Sequence, residues 1–456
     1  MQVQKMNKLT GLLSRVVQGD ARSVTVKKNI IFSFLLKGVG ILTSLLLVPL
    51  TIGYVSPELY GVWLTLSSIL TWVGFMDLGF SQGLKNKLTE AIAKNEWERG
   101  RSLVSTTYFM MLIITIPLCI VLEFVVPYVN WAGLLNVNPI YSDEIITAMY
   151  ACVAFTSLQM VVRVVVSVIA AFQKVALSES FGVIGNVISL LLIAILTRVC
   201  PPSLFVLACT LGAMPILVTF VASIILFCGK YKSVAPSFKF VRVDYIKDLF
   251  GLGYKFFIIN IQVLVLFQST NILISYVSSP LEVTNYNIAY KLLNCGMMLY
   301  TMITAPLWPA YTDAYTKQDY VWMSNVRNRM KKILLFSILG CFIIVALSQP
   351  IYHLWIGEKV TVPFTMTLLV AIYVSAYCWM NLNGTLLVGM GKIQLETRIV
   401  LVGMFLHIPV SLLLGKYIGA YGVLVSLIVI NLFYAIVMHI QVNRLLNKTA
   451  KGIWNK

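Results

Sequence analysis

The sequence predicts an all-α integral membrane protein of about twelve transmembrane helices in two pseudo-symmetric six-helix lobes. Three observations predict it. Of 456 residues, 59% are hydrophobic and 11% charged, with mean hydropathy +0.86, whereas an ordinary soluble domain is roughly 25% charged. The apolar residues come in runs of about 20 or more, long enough for a helix to cross a hydrocarbon core of roughly 30 Å. The cations fall into the breaks between runs, on alternate sides.

In chain order, the first predicted element is a cytoplasmic segment, 1–28. Leu9, Leu13 and Val16 recur there at helical spacing, with Lys5, Lys8 and Arg15 on other positions, as in a short amphipathic helix lying on a membrane surface. A disordered basic tail is the alternative. The apolar run that follows is too long for the core of a cleaved signal and is expected to remain. The N-lobe, 29–228, takes the spans Asn29–Ile52, Leu59–Phe80, Leu103–Val126, Glu144–Phe172, Ser180–Leu196 and Leu204–Phe227. A basic cytoplasmic linker, 229–249, joins it to the C-lobe, 250–442. The spans there are Phe250–Val277, Val283–Pro306, Ile333–Leu354, Phe364–Val388, Glu396–Gly415 and Gly422–Val442, and 443–456 forms a cytoplasmic tail.

Orientation follows from charge. Of 35 Lys and Arg, 28 fall on one side of this arrangement and only Arg198, Lys359 and Lys416 on the other. Cytoplasmic loops keep the cations, so both termini are predicted in the cytoplasm. Although the net charge is +18, no basic domain interleaved with exposed aromatics is present, and nucleic acid is not an expected partner. The eight cysteines lie scattered through apolar segments without CxxC spacing, as small core residues rather than a disulfide or metal framework. No GxxxxGK[ST] phosphate loop occurs, so direct use of ATP is not expected. No connection is long enough to fold as a catalytic domain.

An internal repeat supports the two lobes. Tyr54-Val55-Ser56 matches Tyr276-Val277-Ser278 at an offset of 222, and Leu88-Thr89-Glu90-Ala91 matches Tyr311-Thr312-Asp313-Ala314 one residue further out of register. Lys94, Asn95, Glu96 and Trp97 then face Lys317, Gln318, Asp319 and Tyr320. Parallel halves that rock about a central site are a known transporter design.

The stretch Gly53-Tyr54-Val55-Ser56-Pro57-Glu58-Leu59-Tyr60-Gly61-Val62-Trp63, followed by Asp77-Leu78-Gly79-Phe80-Ser81-Gln82-Gly83-Leu84-Lys85-Asn86, resembles the polysaccharide transporters. These are the Wzx-type O-antigen flippases of the multidrug/oligosaccharidyl-lipid/polysaccharide exporter superfamily, whose fold is MATE-like. The likeness in pattern covers nearly the whole chain; the residue motif, Gly53, Pro57, Gly61, Asp77, Gly79, Gly83 and Asn86, is confined to the first hundred positions. It implies a polyprenyl-diphosphate-linked glycan moved from the cytoplasmic to the outer leaflet of a bacterial inner membrane. No cofactor is implied; coupling to an H+ or Na+ gradient is open, and other polysaccharide-assembly membrane proteins are candidate partners. Read locally, Gly53 and Pro57 make a tight outer turn and Gly79 and Gly83 allow a bend or close helix contact, while Asp77 orients the basic loop that follows.

Four cations fall inside spans: Lys37, Arg163, Lys255 and Lys291. Each costs about 2.5–3.5 kcal/mol at a helix centre on insertion scales. Facing one cleft, three near its inner mouth and one nearer its outer, they suit a diphosphate: Arg grips phosphate oxygens bidentately and Lys supplies a point charge. Snorkelling to headgroups is the alternative. Of the acidic residues only Glu123 and Glu179 approach the interior, so an anionic substrate is favoured over the cation or drug antiport of the same superfamily. A membrane transferase acting on lipid-linked sugars is the third reading.

Overall fold

The computed structural model describes residues 21–77, 79–304 and 307–455; within them the side chains of 21–31, 33, 175, 251–263, 266, 267 and 309 lie outside the description. The predicted surface helix around Leu9 also lies outside the described residues. Everything else is helix and turn, with no strand among the described residues.

In the first half the helices are α1 (Ala21–Tyr54), α2 (Pro57–Gly74), α3 (Phe80–Ala93), α4 (Trp97–Val125), α5 (Ser142–Val162), α6 (Val164–Ala171), α7 (Val175–Val199) and α8 (Leu204–Cys228). The second half has α9 (Tyr245–Val277), α10 (Pro280–Thr304), α11 (Leu307–Thr316), α12 (Tyr320–Ala346), α13 (Ser348–Ile356), α14 (Phe364–Met390), α15 (Gln394–Ile418) and α16 (Ala420–Leu446). Among the described residues eight helices are long and apolar enough to cross a membrane, and the bent pair Tyr320–Ala346 and Ser348–Lys359, at 67°, makes a ninth. The other three expected spans correspond to α2, α9 and α10. These three pack on one another where the halves meet; α2 and α10 turn Ser68, Thr284 and Asn287 to protein rather than lipid, and the α9 side chains of 251–263, 266 and 267 lie outside the description.

Single spans of the sequence reading are broken in the structure. The second ends at Gly74 instead of Phe80, because Asp77 Oδ1 accepts the Gly79 N–H at 2.9 Å and Gly79 turns at φ 82° to start α3. The fourth is interrupted at Arg163, whose carbonyl accepts from Val166 three residues on, tightening that turn. Pro57 occupies the first turn of α2, where its missing N–H costs nothing, and Ser56 Oγ caps Leu59 at 3.1 Å.

The repeat reappears in hydrogen bonds. Glu96 N–H donates to Ala91 O at 2.9 Å and Asp319 N–H to Ala314 O at 2.9 Å; Asn95 and Gln318 both turn left-handed, at φ 58° and 57°. Lys94 Nζ meets Glu90 at 2.9 Å as Lys317 Nζ meets Asp313 at 2.8 Å. At the outer turn the equivalent pair is Ser56-Pro57 with Ser279-Pro280, an offset of 223, one residue from the register that Tyr54-Val55-Ser56 suggests. Further on the offset falls to 218: Tyr231 N–H reaches Leu226 O and Thr449 N–H reaches Arg444 O. The fourth helical passage of the first half is therefore about one turn longer than α14, in the passage that breaks at Arg163.

Each half has a buried apolar cluster toward either end. One of them crosses between halves, bringing Val48, Ile52 and Tyr60 against Leu273, Ile288 and Tyr352. The linker is no loose tether. Val234 is fully buried, Arg242 N–H donates to Thr106 Oγ1 at 3.0 Å and Arg101 lies over the Phe240 ring at 4.2 Å.

Candidate functional site

Between the two clusters of the first half lies a cavity of about 620 Å³, within the range of small-molecule sites. Its walls come from α2, the 75–79 turn, α3, both sides of the Arg163 break, α7 and Gly212 of α8. Trp63 and Phe155 give it aromatic surface, and Ser67, Thr71, Thr156, Gln82 and Gln159 give hydroxyls and amides. Four charged residues share the wall: Asp77, Lys85, Arg163 and Glu179. Among the described residues none of the four is in an ion pair with another. Arg163 falls on the same helical stripe as Phe155, Thr156, Gln159, Val166, Ser167 and Ala170, which line the cavity on both sides of the break, and the turn at Gly79 brings Asp77 and the first turns of α3 to the cavity's rim.

The expected cationic cluster is not assembled as one group. Arg163 lines the cavity of the first half. Lys291 is half-buried in the contact between halves, donating to Tyr60 Oη at 3.1 Å, with Nζ 5.8 Å from that ring. Lys37 is exposed on α1, and the Lys255 side chain lies outside the described residues.

The motif residues hold turns and helix crossings. A Cβ on Gly61 would sit 1.8 Å from Pro280 O, and Thr284, its repeat partner, donates Oγ1 to Pro57 O at 2.6 Å. Under the repeat this is one contact made twice, 61 against 280 and 284 against 57, so α2 and α10 cross about the pseudo-two-fold axis with backbones touching. A Cβ on Gly83 would lie 2.2 Å from Leu249 O, and on Gly53 it would lie 3.1 Å from Lys359 Nζ. Asn86 Nδ2 donates to Gln82 O at 3.1 Å on an exposed face.

Among the described residues, the side-chain hydrogen bonds joining the two halves all belong to the end opposite the basic loops. Asn271 Nδ2 donates to Ser68 Oγ at 2.9 Å and Asn287 Nδ2 to Asn271 Oδ1 at 2.8 Å. Ser275 Oγ donates to Leu135 O at 2.8 Å, Asn136 bonds Ser278 O, and Trp355 Nε1 reaches Leu45 O at 2.9 Å. These bonds make a seal at one end, with the charged cavity below it.

Two placements correct the sequence reading. Arg327, grouped there with loop cations, is 3% exposed inside the second half. Its helical stripe (327, 331, 334, 338) continues without a break into apolar residues, and that periodicity was the available signal. Tyr311, which its place at the end of the eighth expected span suits to an interfacial aromatic anchor, is instead 1% exposed in a core cluster.

The family described as "Polysaccharide biosynthesis protein" matches residues 26–315. A Salmonella typhimurium (strain LT2) protein carrying the provisional designation of O-antigen transporter is 21% identical over 409 residues, 83% of this chain and 87% of that protein. Among solved structures, an inward-facing multidrug resistance MATE family transporter of the MOP superfamily aligns with TM-score 0.75 at 12% identity, over 92% of this chain and all of the other. An outward-facing MATE family transporter gives 0.57 at 15% identity, over 96% and 99% of the two chains. A mutant Vibrio cholerae MATE transporter gives 0.58 at 14%, over 94% and 98%.

Proposed function

We propose, from the premise that this chain belongs to the polysaccharide biosynthesis protein family, that it is a flippase carrying a polyprenyl-diphosphate-linked oligosaccharide across a bacterial inner membrane. The basic ends of the helices face the cytoplasm, by the distribution of Lys and Arg. The observation that carries the reading is the cavity below the seal, with Arg163 on its wall at a helix break. A diphosphate entering from the cytoplasmic side meets Arg163 and Lys85, while hydroxyls, amides and the Trp63 ring suit sugar, and the polyprenyl tail stays in lipid. Lys37, Lys255 and Lys291 are assigned to the same path; Lys291 becomes free for the anion when α2 and α10 part. Greater likeness to the inward-facing than to the outward-facing transporter accords with the seal at the opposite end. A potential negative inside favours expulsion of an anion by about 2.3 kcal/mol per charge per 100 mV.

The test replaces Lys37, Arg163 and Lys255 together by Ala and measures surface glycan alongside the amount of protein in the membrane. Lost glycan with normal insertion is expected; undiminished glycan removes the anion path. A second reading, small-molecule export in exchange for H+ or Na+, is favoured by Asp77 and Glu179 on the same wall. It predicts that Asp77→Asn abolishes efflux of cationic dyes; a flippase leaves dye retention unaltered.

A further inference from the structure

Arg327 is a buried charge that the cavity of the first half does not use. Its Nη2 donates to Asn383 Oδ1 at 3.0 Å and lies 3.1 Å from His439 Nδ1; Nη1 donates to Asn443. Because guanidinium only donates, His439 Nδ1 accepts, which leaves that imidazole neutral with its hydrogen on Nε2. Arg327 Nε has no partner among the described residues, and no carboxylate pairs with the guanidinium there. Lys331, one turn on and half-buried, is within electrostatic reach of both Arg327 and His439. A desolvated positive group without a counter-charge is costly, so an anion is the expected complement.

An apolar slot of about 280 Å³ continues from this cluster along the same helix faces, lined by Leu334, Ile338 and Phe342 of α12, Ile372 and Trp379 of α14, and Leu432 of α16. Helices α12 and α16 scarcely touch, so α14 forms the floor. The slot faces lipid. Phe342 is 41% exposed, and Phe336, Leu339, Phe433 and Ile436 beside it are exposed too. On α14 the residues turned to α10 are Tyr373 and Asn381, about 110° and about 170° around the helix from the middle of the slot face at about 100° per residue. Trp379 links slot to cluster, its ring 5.8 Å from that of His439.

We propose that the groove between α12 and α16 binds an anionic glycerophospholipid of the leaflet at the basic end, phosphate on Arg327, Lys331 and His439, one acyl chain in the slot. Basic pockets between transmembrane helices take lipid headgroups in this way. The substrate is not the occupant, because the slot opens on the side of α14 away from the contact between halves. The site stands whether or not the chain is a flippase.

The experiment measures lipids retained by the purified full-length protein in native mass spectrometry, and its thermal unfolding in detergent, with phosphatidylglycerol or phosphatidylcholine added. One phosphatidylglycerol retained, with raised Tm and no such effect of phosphatidylcholine, is expected. Ala376→Phe, at an alanine of α14 that also lines the slot, and Lys331→Gln should each lower that retention about tenfold; Arg327→Gln should abolish it where the variant folds. Equal retention of the two lipids, unchanged retention in Ala376→Phe, or a polyprenyl phosphate displacing phosphatidylglycerol from the folded protein would overturn the proposal.

Discussion

Arg163 owes its place to helical spacing: Thr156, Gln159 and Met160 before it and Val166, Ser167 and Ala170 after it line the same cavity face. An arginine in an apolar run would turn to headgroups or destabilise the span; here it lies on a cavity wall shared with Lys85, Asp77 and Glu179. Substituting Arg163→Ala should leave insertion intact, because no partner is orphaned, and cut surface glycan at least about tenfold if a charge-assisted phosphate contact of roughly 1.5–3 kcal/mol is lost. Arg163→Lys should restore part of it, a result that a purely structural arginine would not give. Gly61 makes a different demand. With Pro280 O 1.8 Å from its missing Cβ, even Gly61→Ala must push α2 off α10. Overpacking costs about 1–3 kcal/mol, so the seal should open roughly tenfold more often, read as faster labelling of an externally accessible cysteine in the contact; unaltered labelling would remove Gly61 from the seal.

At the scale of elements, the helices that meet between halves turn polar side chains toward one another, and the reason is chemical. Ser68, Asn271 and Asn287 form a hydrogen-bonded chain across α2, α9 and α10, and bonds of this kind are worth about 0.6 kcal/mol each inside membranes. Such strength holds a closed state without locking it. Replacing Asn271 by Leu removes two of them, about 1.2 kcal/mol, and should raise the outward-open population roughly sevenfold. A Ser275→Cys reporter, fully buried beneath Leu135, measures it with an impermeant thiol reagent. Most of this architecture was legible beforehand, because runs of about twenty apolar residues leave few options and because the segments 88–97 and 311–320 match across the halves; the Tyr-Val-Ser match pointed to the right turns one residue out of register. The breaks were not legible. Hydropathy averages over a window and does not see a one-residue interruption at Arg163 or the continuation of the second passage into α3. Counting cations by proximity to loops likewise placed Arg327 in water, although its stripe runs into Leu334 and Ile338. The candidate site was legible only in part: Arg163 stood out as a charge in an apolar run, but that Asp77 and Glu179 share its wall depends on how α3 and α7 pack.

For the whole molecule, the alternating access proposed above starts from two halves built alike and sealed at one end, with the pseudo-two-fold contact of Gly61 and Thr284 as the part that has to separate. Reporter fusions at residue 1 and residue 456 should both read cytoplasmic; both outside would invert the direction of transport assigned above, and one alone outside would contradict an even number of spans. The most direct measurement reconstitutes the protein in vesicles with a polyprenyl-diphosphate-linked oligosaccharide on the side of the basic loops and follows the saccharide's exposure to an impermeant glycosidase on the other. The account predicts exposure that requires the protein and collapses in Arg163→Ala. Folded protein that leaves the saccharide where it began, or Arg163→Ala that moves it at the unaltered rate, would contradict it.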